Sequence, residues 1–111
     1  MLSLTQFDYH HRLDETNGIA IVMFSKQACA SCRSWHQLLQ RYQALHPAIS
    51  LFSVDVEEET GLGLEMETFY LPALFLYING QYHASLQSIA QLGKLEEAVQ
   101  EALQNPAQEL P

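Results

Sequence analysis

The chain is 111 residues long, 48% apolar and 16% charged, enough for one compact domain around one hydrophobic core. A formal net charge of −8 with only five Lys and Arg residues argues against nucleic acid as a ligand, because neutralising phosphates takes clustered cations. No stretch reaches the roughly 18 to 20 consecutive apolar residues of a membrane span, and the N-terminus has no basic region leading into an apolar signal core, so a cytoplasmic chain without membrane contact is expected.

Ser3 with Gln6 reads as a capping box, and Leu4, Phe7 and Leu13 as a loose apolar face, which predicts an N-terminal helix ending at Asn17-Gly18. Residues 19–25 are a continuous apolar, β-branched run, the pattern of a strand buried on both faces. Trp35, Leu38, Leu39, Tyr42 and Leu45 then recur at helical spacing until Pro47 interrupts them. Ile49 to Val56 reads as another strand. Beyond it lies an acidic segment with Glu57, Glu58, Glu59, Glu65 and Glu67, predicted to be a short irregular helix broken by Gly61 and Gly63. Strand, helix, strand implies parallel pairing through a right-handed crossover.

The last third differs. Ala73 to Ile78 and Gln81 to Leu86 are separated by Asn79-Gly80, a strong hairpin signal, so these strands should pair antiparallel. Ile89, Leu92, Leu95, Val99, Ala102 and Leu103 mark one face of a closing helix. The sum is an α/β domain over residues 1–104, with a central mixed sheet of about four strands and helices on both sides. Residues 105–111, with two prolines, are expected to be a flexible tail.

Cys29 and Cys32 stand as Cys-Ala-Ser-Cys between the first buried strand and the helix that follows it, and they are the two cysteines of the chain. At that spacing two thiols can close a disulfide within one helical turn, and the helix amides behind them favour the thiolate. Lys26 and Arg33 flank the pair and are candidates for lowering a thiol pKa. His36 lies four residues after Cys32, on the same helical face, where a neutral imidazole can accept a proton. The bland alternative for all three is a solvated surface position. Trp35 begins the apolar stripe of its helix and is assigned to the core.

The order of elements, the placement of the cysteine pair and three segments in sequence resemble the thioredoxin superfamily. The segments are Phe24 to Cys32, Val54-Asp55, and Tyr70 to Gly80 with its Leu71-Pro72. The resemblance spans nearly the whole chain and implies a thioredoxin-like fold with a cis Pro72 facing the cysteines, where the residues alone allow an ordinary trans proline at a strand start. It also implies a thiol–disulfide oxidoreductase acting on protein thiols or disulfides, with a reductase or other dithiol as electron donor and with no cofactor beyond the redox-active Cys29–Cys32 disulfide. Cys29 would be the nucleophile and Cys32 the resolving thiol, while Ala28, Leu71 and Pro72 would bind an extended substrate segment, the Leu71 backbone pairing with it and Ala28, Ala30 and Leu71 forming a small apolar rim.

The chain departs from the family at several positions. Ala28 replaces the tryptophan that often precedes the first cysteine, and Ala30-Ser31 replaces the Gly-Pro between the cysteines, which leaves the reduction potential open. Met23 stands where thioredoxins keep a buried Asp, and Leu51 where they keep an associated lysine, so the usual proton relay is missing. Two rival readings follow. One is a thioredoxin-fold binding module with weak or vestigial redox chemistry. The other is a metal site using Cys29, Cys32 and His36, although no second Cys or His cluster supplies a fourth ligand, and no metal is expected.

Overall fold

A computed structural model describes all of residues 1–111. Its order is β1 (Leu2–Ser3), α1 (Tyr9–Asp14), β2 (Ile19–Ser25), α2 (Ala30–Leu45), β3 (Ser50–Asp55), α3 (Thr60–Glu65), β4 (Ala73–Ile78), β5 (Gln81–Leu86) and α4 (Leu92–Gln104). The sheet has five strands in the order β1-β3-β2-β4-β5. β2 runs parallel to β3, with Val22 opposite Phe52, and antiparallel to β4, with Val22 opposite Phe75. No helix is long and apolar enough to cross a membrane.

Strand alternation distributes β2 between two cores. Ile21 and Met23 point to one face, where they meet Trp35, Leu38, Leu39 and Tyr42 of α2 and Leu95 and Val99 of α4. Ala20, Val22 and Phe24 point to the other, with Tyr9 and Leu13 of α1 and Leu62 of α3. That is why the run from Ile19 to Phe24 is apolar at every position: neither face of the central strand sees water. α2 stops at Leu45, two residues before Pro47, whose ring disfavours helical backbone at the residue preceding it. There His46 Nε2 lies 2.6 Å from the Glu96 carboxylate and ties the end of α2 to α4.

Both terminal helices differ from expectation. Leu2–Ser3 is not the start of a helix but a short edge strand parallel to β3, where the Ser3 hydroxyl lies 3.3 Å from that of Ser53. This strand is the fifth of a sheet expected to have about four. The chain then turns through Thr5, whose N–H donates to the Asp8 carboxylate at 2.7 Å, so the helix begins only at Tyr9 and has ended by Asp14. That bond holds the Asp8 carboxyl below its usual range. Phe7, expected on the apolar face, is exposed. Ile89 likewise falls outside the closing helix and is exposed, since α4 starts at Leu92.

The hairpin turn uses positive φ at both Asn79 (50°) and Gly80 (81°), the geometry that matches strand twist. Asn79 also locks the turn to the start of β2: the Gly18 N–H donates to Asn79 Oδ1 at 2.7 Å and the Asn79 N–H to the Gly18 carbonyl at 2.9 Å. A Cβ at Gly80 would lie 2.8 Å from the Asp14 carbonyl oxygen. Gly80→Ala therefore combines left-handed strain with a backbone collision and is expected to cost about 2 kcal/mol or more, read from urea unfolding.

On the α1/α3 face the Tyr9 and Tyr77 hydroxyls lie 2.7 Å apart. Burial pushes the Tyr77 phenol up to about 12 and shifts Tyr9 further in the same direction. The folded state thus keeps protons that the unfolded chain, with phenols ionising near ~10, gives up first, so stability falls as pH rises through roughly 10 to 12. Urea midpoints at about pH 8 and about pH 11 should differ in that direction. The Tyr9→Phe/Tyr77→Phe double variant, which leaves no orphaned hydroxyl, should show a smaller difference.

Candidate redox site

β2 ends at Ser25, with Lys26, Gln27 and Ala28 exposed beyond it, and α2 begins immediately after Cys29. Three contacts fix this turn. The Cys29 N–H donates to the Gln27 carbonyl at 2.9 Å, the Arg33 N–H to the Cys29 carbonyl at 3.2 Å, and the Val56 N–H to the Ser25 carbonyl at 2.9 Å. Ala73 pairs with Phe24, which puts Pro72 on the β4 side of the turn as Val56 is on the β3 side. The Leu71–Pro72 peptide bond is cis.

Cys29 and Cys32 are joined in a disulfide. Cys29 is the N-cap of α2 in extended backbone conformation, and its Sγ accepts the Cys32 N–H at 3.2 Å. Serine, threonine and aspartate oxygens ordinarily take that bond at a helix start. Here a sulfur takes it, so the amide that caps the helix also stabilises negative charge on Cys29 once the disulfide opens. Ser31 Oγ lies 3.4 Å from the same sulfur. The two sulfurs differ in access: Cys29 is half-buried, whereas Cys32 is only 4% exposed.

The structure brings together Ala28, the two cysteines and the Leu71–Pro72 segment at the C-terminal end of β2. Ala28 is exposed, and Leu71 and Pro72 are half-buried. Lys26 and Arg33 are exposed on either side of the disulfide, and neither takes part in an ion pair. His36 is half-buried one turn beyond Cys32, with no hydrogen bond to either cysteine. No group of three or more His, Cys, Asp and Glu side chains is arranged to hold a metal ion.

Beneath the cysteines the core is wholly apolar. Met23 is 2% exposed and Leu51 5%, and the molecule has no buried charged side chain. Trp35 is in the core with α2, as its stripe predicted. Ser31 was missed as a neighbour of Cys29 Sγ; its signal was its position in the first turn of a helix capped by a cysteine.

The sequence matches the Thioredoxin family over residues 1–101. The chain belongs to the thioredoxin family. No curated protein matches the sequence. Among solved structures, Fasciola hepatica thioredoxin superposes with a TM-score of 0.79 at 21% identity, covering 92% of this chain and 99% of that one. Oxidised mitochondrial thioredoxin 3 from Saccharomyces cerevisiae gives 0.78 at 21% identity, with 91% and 94% covered. The zinc-bound form of human ERp44 gives 0.77 at 15% identity; 90% of this thioredoxin-family chain spans only 30% of that longer protein.

The difference in access between the sulfurs has a direct readout. After reduction and brief treatment with a haloacetamide, peptide mapping should find Cys29 modified about tenfold faster than Cys32. Equal rates would mean that reduction opens the buried sulfur to solvent.

Proposed function

We propose that this protein is a thiol–disulfide oxidoreductase of protein thiols and disulfides, working through the Cys29/Cys32 pair. The observation that carries this reading is a disulfide at a helix N-terminus with one reachable sulfur, capped by an amide that favours its thiolate. In the reducing direction the Cys29 thiolate attacks one sulfur of a client disulfide. A Cys29–client bond forms and the other client sulfur leaves as a thiolate. Cys32, deprotonated, then attacks Cys29 Sγ, closing the Cys29–Cys32 disulfide and expelling the second client thiolate. Two electrons pass to the client, and a reductase or other dithiol donor restores the reduced pair. The oxidising direction is the same sequence reversed, and the compartment sets the direction; a cytoplasmic location favours reduction.

Ala28, Leu71 and Pro72 form the rim for the client segment, and Lys26 and Arg33 add positive potential at the Cys29 thiolate. Proton transfer from Cys32 has no buried carboxylate to use. His36, one turn further along the same helix face, is the base that this reading assigns. His36→Ala should slow release of the mixed disulfide several-fold while leaving its formation unchanged, followed by stopped-flow with a model protein disulfide.

The decisive comparison is turnover of that disulfide by the native chain, Cys29→Ser and Cys32→Ser. Loss of turnover in both variants, with a trapped covalent adduct in Cys32→Ser alone, is expected. Equal turnover by the native chain and Cys29→Ser would remove the nucleophile. The apolar Met23 favours a second reading, a thioredoxin-fold binding module with residual redox chemistry. Client binding that survives in Cys29→Ser, with native turnover near the uncatalysed rate, would select it.

A further inference from the structure

β5 is an edge strand, and its outward backbone groups are a template for another extended segment. The chain's own C-terminus occupies part of that template. The Gln108 N–H donates to the His83 carbonyl at 2.7 Å, and the Gln108 side-chain Oε1 accepts the Ser85 N–H at 3.0 Å. One residue thus supplies both the donor and the acceptor that a neighbouring strand would offer. His83 Nε2 donates to the Ala102 carbonyl at 2.6 Å and anchors the end of α4 beside this contact.

Ser85 and Gln108 also line a groove of about 660 Å³ whose wall includes Trp35, Tyr70, Pro72 and Glu109. Trp35 follows Cys32 by one helical turn and Pro72 precedes β4, so the groove extends from Pro72 to the β5 edge, and neither cysteine lines it. Tyr70, on its wall, is 90% exposed. Every residue from Asn105 to Pro111 is exposed, so the tail is held by these hydrogen bonds rather than by apolar burial, and contacts of that kind open readily.

We propose that the β5 edge and the wall of this groove outside the tail, with Trp35, Tyr70, Pro72 and Ser85, dock an extended polypeptide segment of a client by strand addition, and that residues 105–111 are a displaceable strap occupying the site in cis. Client segments bind only when the strap is open, so their apparent affinity is lowered by the fraction of molecules in which it is open. The docking claim stands on the geometry of the edge. Its consequence for turnover rests on the oxidoreductase reading above.

The test uses the full-length chain carrying Gln108→Pro, which removes both the N–H donor and the side-chain acceptor from an exposed position. Hydrogen exchange at the Ser85 amide should accelerate at least tenfold, roughly the loss of one bonded partner. A fluorescently labelled unfolded protein, reduced and carboxamidomethylated so that it carries no disulfide, should bind Gln108→Pro roughly fivefold more tightly than the native chain. Turnover of a protein disulfide should rise by a similar factor through KM, while turnover of a small aromatic disulfide, which needs no groove, should not change.

Unchanged Ser85 exchange would overturn the strap. Accelerated exchange with equal binding of the unfolded protein would overturn the docking site. Dimerisation of Gln108→Pro without gain in that binding, seen by light scattering, would assign the edge to a second copy of the chain and overturn the client. Since the binding arm contains no redox step, it decides docking even for a chain that turns over no disulfide.

Discussion

The structure depends on the enclosure of β2. Its two edges are hydrogen-bonded, to β3 on one side and β4 on the other, and its two faces are covered by α2 with α4 and by α1 with α3. A strand held on four sides has a fixed end, and the chain leaving that end turns within four residues into a long helix. Cys29 therefore sits where a rigid strand meets a rigid helix, and the loops that approach it are set by the same pairings. Val56 follows from the register of β3, and Pro72 from that of β4. Precision at a reactive atom comes from elements held in this way, since packed strands and helices deform less than loops.

The same enclosure restricts the chemistry. A carboxylate at position 23 would stand in a layer with Ile21, Leu51, Leu74 and Leu76, where desolvation disfavours its charged form and raises its pKa. An acid there would place a proton acceptor under the buried cysteine at the cost of burying a polar group. Met23 reverses that choice, and its burial contributes about 2 kcal/mol to the core. The polar groups in contact with Cys29 Sγ lie above the sheet: the Cys32 amide and the Ser31 hydroxyl.

Much of the fold was legible because its signals are local. β2, β4 and β5 begin and end where alternation, apolar runs and Asn79-Gly80 placed them, and α2 follows its stripe from Trp35 to Leu45. The errors fall where a distant partner decides. Ser3 has the chemistry of a helix cap, but the edge of β3, fifty residues away, makes it a strand. Ile89 continues the period of α4, yet the helix does not extend to it. At the site, the cysteine pair was visible as a motif and Leu71-Pro72 as part of a family pattern. The contact of Gln108 with β5 left no sequence signal, because a glutamine in a Pro-containing tail reads as solvent-exposed and its partners are backbone groups of any sequence.

What the sequence by itself determined is the set of elements and the nature of the reactive group. Hydrophobic periodicity, turn chemistry and two thiols three residues apart are properties of neighbouring residues, and neighbours fix them. What only the tertiary structure decided is access and company: that Cys29 can be reached and Cys32 cannot, that the amide capping α2 also points at the outer sulfur, that nothing polar lies beneath the pair, and that the C-terminus lies along β5. Each of these depends on which surfaces face one another once long-range strand pairing is complete. Burial and hydrogen bonding between distant residues are consequences of that pairing, and no local pattern encodes them.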